Sequence, residues 1–130
     1  EISNAIQWGG WIDYDLGFGA YYELASVYVH MSEHEGFGVT LLEAMKFGLP
    51  VIAFASTAVP ETMGKSGILI KSKNYANIAE LVILLHTDSN LRDKVIAVQI
   101  ENLPRFEHDS VLSQLKSALN IVLPSISYLP

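Results

Sequence analysis

The sequence predicts an α/β fold, a Rossmann-like parallel sheet flanked by helices. Short apolar runs rich in Val, Ile and aromatic residues alternate with helical segments up to residue 70, the pattern of parallel strands joined by crossovers. One join is a glycine-rich turn leading from a strand into a helix, Glu35-Gly36-Phe37-Gly38. From Asn74 onward the pattern is helical only.

The elements follow in order. Asn4 to Trp8 reads as a short buried strand, broken by Gly9 and Gly10 before a second apolar pair, Trp11 and Ile12. Asp15 can cap a helix from Leu16 to Ser26, weakened by Gly17 and Gly19. Ser26 to Met31, with Val27, Tyr28 and Val29, is a β-branched and aromatic run that predicts a buried strand. After the glycine-rich turn comes a helix from Val39 to Phe47, stopped by Gly48 with Pro50 beyond it. Pro50 to Phe54 and Gly67 to Ile70 are two further strands, with one helical turn at Pro60 to Met63 between them. Asn74 or Asn77 caps a helix reaching His86, a second runs from Asn90 to Asn102 before Pro104, and a third from Glu107 to Val122. Residues 1–123 thus form one domain, and 124–130 read as a tail.

Composition narrows the function classes. The chain has 130 residues, half of them hydrophobic, which describes one compact domain large enough to fold without a metal or disulfide staple. Zero cysteines exclude disulfides, thiolate nucleophiles and Cys-type metal sites. A net charge of −6 and a pI near 5.0 argue against nucleic acid as a partner. The most apolar stretch, Ile78 to Leu85, is interrupted by Glu80 and is far shorter than the ~20 residues of a transmembrane segment, so it reads as a core helix. The chain starts at Glu1 without a basic leader or signal-type apolar region, as expected of a piece of a longer cytoplasmic protein. All eight basic residues lie at or after Lys46, whereas residues 1–45 hold seven acids. A phosphate-bearing ligand on the first half would therefore rest on backbone amides and a helix dipole, or on cations from elsewhere.

In parallel sheets of this kind ligands bind beyond the carboxyl ends of the strands, so the turn after Tyr28 to Met31 is the first candidate. Gly36 and Gly38 admit a ligand close to the backbone, and the amides of Gly38, Val39 and Thr40 at the helix start make a small positive field. The plain alternative is a tight turn and nothing more. Two carboxylates bracket the turn and helix, Glu35 and Glu43, eight positions apart. On a helical wheel Thr40, Glu43 and Lys46 share one stripe, with Val39, Leu41, Leu42, Ala44, Met45 and Phe47 around it. Both carboxylates could accept hydrogen bonds from the hydroxyls of a polyhydroxylated ligand whose phosphates rest between them. Equally, Glu43 could pair with Lys46 on a solvated stripe and Glu35 could be a surface charge.

Ser32 to Met45 (SEHEGFGVTLLEAM), then Gly48 to Ala53 (GLPVIA), Val59-Pro60-Glu61 and Gly67 to Ile70 (GILI), resemble the donor-binding domain of retaining GT-B glycosyltransferases, family 4 in particular, from about residue 4 to 119. The resemblance implies a partial GT-B donor-binding domain. It places Glu35 as the catalytic-site carboxylate against the donor sugar, and the amides of Gly36, Phe37, Gly38, Val39, Thr40 and Leu41 on the sugar and diphosphate. Glu43, the second carboxylate of the E-x7-E pair, would bind the ribose. It further implies sugar transfer from a nucleotide-diphosphate sugar to an acceptor hydroxyl with retention, through an oxocarbenium-like state, without a metal or other cofactor. The acceptor, a saccharide or lipid-linked glycan of polysaccharide or glycolipid biosynthesis, would be held by an N-terminal domain this chain lacks, at the inner face of the membrane. The family's diphosphate-clamping cations lie earlier than this chain reaches, and Met31 replaces the Pro many relatives carry. Such a piece alone should be catalytically silent and, with a sheet edge uncovered, prone to dimerise.

Rival readings rest on the same residues. His30 and His34 with Glu33 and Glu35 suggest a metal site, and Ser32 with His34 and Glu35 a hydrolytic triad, but a strand and a turn do not fix either geometry. His86 and His108 read as helix-end and surface residues, and Tyr14, Tyr21, Tyr22 and Tyr28 as packing aromatics. A non-catalytic nucleotide-sugar-binding or self-associating module, and a phosphorylase or epimerase of the same fold, remain open at this point.

Overall fold

The computed structural model describes residues 2–10 and 14–122. Three parallel strands, β1 (Tyr28–His30), β2 (Val51–Phe54) and β3 (Ile68–Ile70), form one sheet in the order β1-β2-β3. Tyr28 is opposite Val51 and Ile52 is opposite Ile68. Helix α1 (Tyr14–Leu24) precedes β1, α2 (Val39–Lys46) joins β1 to β2, and α3 (Val59–Met63) joins β2 to β3. Helices α4 (Tyr75–Thr87), α5 (Ser89–Asn102) and α6 (His108–Val122) follow, with a 3₁₀ turn at Leu103–Phe106 before the last. This is the parallel, helix-flanked sheet that the strand spacing predicts.

The central strand decides where the core lies. Val51, Ile52 and Ala53 are all buried, so both faces of β2 are shielded from solvent, as in a central strand of a parallel sheet. Around it Tyr22, Leu41, Ala44, Met45, Leu49, Val59 and Met63 pack as one cluster. Helix α2 contributes three of these, the apolar side of the wheel drawn above. It ends in a Schellman motif: Gly48, at φ 71°, donates its N–H to the Met45 carbonyl, and Leu49 donates to Ala44. Only a residue at ease with positive φ closes that turn, after which the chain enters β2 directly.

Several expectations are corrected. Asn4 to Trp8 is not a buried strand: Ile2–Ala5 is a 3₁₀ turn, and Trp8 is 88% exposed. No neighbouring strand among the described residues offers this segment a ladder, so its apolar residues have nothing to pair with. Trp11, Ile12 and the tail from 123 onward lie outside the described residues. Helix α1 begins at Tyr14, earlier than the expected Leu16, so Asp15 lies inside it; Gly17, at φ 152°, interrupts its helical geometry. The stretch Ile78 to Leu85 is only partly core: Ile78 and Leu85 are buried, while Ile83 and Leu84 are exposed. An apolar run longer than the buried stripe of a helix must put some side chains outside. Tyr21 likewise faces outward, whereas Tyr22 packs inside as expected.

The helical caps are those the side chains dictate. The Asn74 side chain accepts the N–H of Asn77, and the Asp88 carboxylate accepts that of Leu91 to open α5. Gln99, fully buried on α5, accepts the Val51 N–H at 2.8 Å and donates to the Leu49 carbonyl at 2.7 Å. One side chain thereby satisfies both polar groups at the entrance to β2 and ties α5 to the sheet.

Candidate functional site

The carboxyl ends of the three strands carry loops 31–38, 55–58 and 71–74, and the candidate residues stand on the first. Gly38, at φ 88°, is the N-cap of α2 and has no side chain to cap it. The first helical turn consequently leaves the N–H groups of Val39 and Thr40 without an intrahelical acceptor. Leu41 differs from the expectation: its N–H is taken by the Gly38 carbonyl at 3.0 Å, so this amide closes the turn. A Cβ on Gly38 would lie 2.7 Å from Leu41 Cδ1, so any other residue would displace the end of that side chain in addition to straining the backbone at positive φ.

The two carboxylates are held differently. Glu43, half-buried on α2, accepts a hydrogen bond from the Tyr22 hydroxyl at 3.1 Å, so α1 orients it. Tyr22 stacks on Phe47 at 5.2 Å and tilts against Tyr28 at 5.8 Å. Glu35 Oε1 lies 3.1 Å from His30 Nε2. The imidazole and carboxylate are not aligned for a hydrogen bond, and Nε2 is buried without a hydrogen-bond partner, so the contact is electrostatic proximity only. His30 stacks on Tyr28 at 6.1 Å, two residues earlier on the same face of β1. Burial pushes the Tyr28 phenol above its ordinary range, and the charges of Glu35 and Glu43 push the same way, against side-chain hydrogen bonds with Thr40 and Tyr22. Both carboxylates therefore act on one phenol. The contacts Glu35–His30, His30–Tyr28, Tyr28–Tyr22 and Tyr22–Glu43 link the two even though one is on a turn and the other is a full helical turn into α2.

The backbone of the turn is tied to the loop after β2. Ser56 Oγ donates to the Ser32 carbonyl at 2.8 Å, Thr57 Oγ1 accepts the Glu35 N–H at 2.8 Å and donates to the Glu35 carbonyl at 2.9 Å, and Thr62 Oγ1 donates to the Phe37 carbonyl. Thr57 is the only non-glycine residue with positive φ among the described residues, at 39°, a conformation costing of order 1–3 kcal/mol. Across the same mouth Lys73 Nζ sits 4.8 Å from the Phe54 ring centroid and 2.8 Å from Glu33 Oε1, holding that carboxyl below its ordinary range.

Two open clefts flank this end. One of about 650 Å³ runs along Val39, Glu43, Lys46 and Phe47 to Phe106 and His108. Another of about 370 Å³ lies beside Gly36 and Phe37, with Glu61, Thr62 and Arg105 on its far wall. Phe106 borders both and meets Phe37 edge-on at 5.6 Å. Neither of the two is lined by Glu35.

The rival sites do not assemble. His30 reaches Glu35, His34 is exposed, and among the described residues no group of three His, Asp or Glu gathers as a metal site would require. The Ser32 hydroxyl donates to the His34 carbonyl and not to its ring, so no triad forms. His86 is at the end of α4 and His108 at the start of α6, both exposed. Sequence reasoning gave Tyr22 a packing role only and Thr57, Thr62 and Lys73 no site role; their partners lie 21, 22, 25 and 40 positions away. Only the fit of a Ser-Thr pair between a strand and Val59-Pro60-Glu61 could have hinted at them.

The candidate site is thus the mouth of a parallel sheet, with an open helix N-terminus and a carboxylate on either side of it in the chain. The chain belongs to the glycosyl transferases group 1 family, whose sequence model matches residues 1–101. It is 27% identical over 118 residues to the O-antigen chain mannosyltransferase B of Escherichia coli, covering 87% of this chain and 31% of that one. To the phosphatidyl-myo-inositol mannosyltransferase of Mycobacterium leprae (strain TN) it is 30% identical over 123 residues, covering 92% and 33%. The pneumococcal O-GlcNAc transferase GtfA, solved in complex with UDP and GlcNAc, shares the fold at a TM-score of 0.64 and 26% identity, over 93% of this chain and 25% of that one. The chain spans about a third of the length of the curated relatives it matches.

Proposed function

We propose that this chain is the donor-binding part of a retaining glycosyltransferase, family 4 in type, that moves a sugar from a nucleotide-diphosphate sugar to an acceptor hydroxyl in polysaccharide or glycolipid assembly. The observation that carries the reading is that Glu35 and Glu43 are joined through His30, Tyr28 and Tyr22, with the open amides of Val39 and Thr40 between the two carboxylates in the chain. In this reading the diphosphate rests on the positive end of α2, Glu43 accepts from the ribose hydroxyls, and Glu35 accepts from the donor sugar. Charge develops on the leaving diphosphate as the glycosidic bond breaks, and fixed backbone dipoles stabilise it without reorganising. The acceptor oxygen attacks the same face and gives its proton to the departing phosphate oxygen, which conserves the anomeric configuration. No metal is needed for these steps as drawn. In this reading the remaining phosphate charge falls to cations earlier in the donor domain than this chain reaches. The acceptor domain belongs to the length of the relatives that this chain does not span, and with it any contact with the membrane face.

The test is thermal denaturation with UDP, GDP, ADP and their sugar conjugates. A ligand at about 100 times its Kd stabilises by about 2.7 kcal/mol. Stabilisation by one base, lost in Glu43→Ala, is the expected result. Stabilisation that persists in both Glu43→Ala and Glu35→Ala would place the ligand elsewhere. For the full-length enzyme, the anomeric configuration of the product, read by NMR, decides retention. Equilibrium sedimentation tests the competing reading of self-association through β1, which is paired on one side only among the described residues and leaves Val29 39% exposed.

A further inference from the structure

Thr57 combines two observations that do not usually go together. Its backbone lies in the left-handed region, where a β-branched side chain is disfavoured and glycine costs nothing. Its hydroxyl meanwhile makes two hydrogen bonds to one residue, accepting from the N–H and donating to the carbonyl of Glu35. A strained backbone persists where its surroundings over-determine it, and such strain gathers at functional sites. Here the strain and the double bond sit on the same residue, and the residue they grip carries the carboxylate nearest His30.

We propose that Thr57 is the positioning residue of Glu35. Bonding both the amide and the carbonyl of one residue fixes the peptide planes on either side of it, and so the direction of its Cα–Cβ bond. The Glu35 side chain then leaves the turn along one line, toward His30 and the head of α2. The β-branch of Thr57 restricts its own χ1, which keeps the hydroxyl aimed at Glu35 instead of at water. Ser56 and Thr62 hold the Ser32 and Phe37 carbonyls on either side, so the turn is anchored at both ends and Thr57 sets its middle. Thr57 itself touches no donor. It acts through Glu35, and the assignment rests on the donor-site reading above.

Three substitutions separate positioning from folding. Thr57→Val keeps the shape and strain and removes the hydroxyl, Thr57→Gly removes both strain and hydroxyl, and Thr57→Ser keeps the hydroxyl. Amide hydrogen exchange of Glu35 reads the grip directly in this chain, and steady-state kinetics with the donor read its consequence in the full-length enzyme. The expected result is Glu35 exchange about tenfold faster or more in the Val and Gly variants, and near wild type in Ser. The kcat should fall about 10- to 100-fold in Val and Gly, with far less change in donor KM, and recover in Ser. If Thr57→Val does not fold, Thr57→Gly, which carries no steric penalty, gives the same readings. Unchanged Glu35 exchange in Thr57→Gly, or unchanged kcat beside an active wild type, overturns the assignment alone. A wild-type enzyme that transfers sugar from no nucleotide donor overturns the donor-site reading and the assignment together.

Discussion

The mouth of the sheet and the C-terminal helices are built on different terms. At the mouth, residues 32–62 connect three elements through side-chain hydroxyls bonded to backbone, and the α2 core beneath them is closed, with Leu41, Ala44 and Met45 at 0–1% exposure. In α4 to α6 many apolar residues are exposed, Tyr75, Ile83, Val98, Leu115 and Ile121 among them, and among the described residues Ile78, Leu85 and the polar Gln99 are buried. The candidate-site turn is fixed by several independent contacts, while the helices are fastened to the sheet at a few points. Tolerance to substitution should differ accordingly.

The largest expected contrast is in the core. Leu41→Ala should destabilise by about 3–4 kcal/mol, because it empties a fully buried site under the candidate turn, whereas Leu115→Ala on α6 should stay within about 0.5 kcal/mol. Urea midpoints for the two variants measure this, and equal losses would erase the contrast. Next comes the fastening between the regions. Gln99→Leu keeps the volume but leaves the Val51 N–H and Leu49 carbonyl buried and unbonded, which should cost about 2–3 kcal/mol in the same titration. A smaller effect belongs to the helical region alone: Asn74→Ala removes the cap of α4 and should cost about 1 kcal/mol, with faster amide exchange confined to residues 75–77.

The smallest effect is electrostatic. Lys73 lowers the Glu33 carboxyl by hydrogen bond and charge, so what this exposed pair contributes is present above the ordinary glutamate range and is lost as pH falls through the lowered value. Melting temperatures of wild type and Glu33→Gln should differ slightly at neutral pH and converge in acid. A difference that grows as the pH drops would reverse the sign and point to a role other than pairing.

How far the chain could be read in advance follows the range of the interactions. Helix α2, its glycine stop and the Pro-marked entry to β2 were legible because their signals lie within a few residues of one another. The first segment misled, since Ile6 and Trp8 look like strand residues but have no neighbouring strand among the described residues. At the candidate site the spacing of Glu35 and Glu43 was visible. What holds each residue was not: Tyr22 and Thr57 have ordinary local contexts, and nothing near Glu43 or Glu35 in the chain marks a hydroxyl 21 or 22 positions away as its partner.

The sequence by itself determined the parallel α/β class, the helix stops and the glycine-rich turn with its two carboxylates, because strand and helix periods and backbone freedom are local properties written residue by residue. Tertiary structure alone decided that Tyr22 orients Glu43, that Thr57 grips Glu35, and that Gln99 closes the entrance to β2 from 48 positions away. Parallel crossovers bring such distant segments side by side, and no spacing along the chain records which hydroxyl or amide will meet which backbone group there.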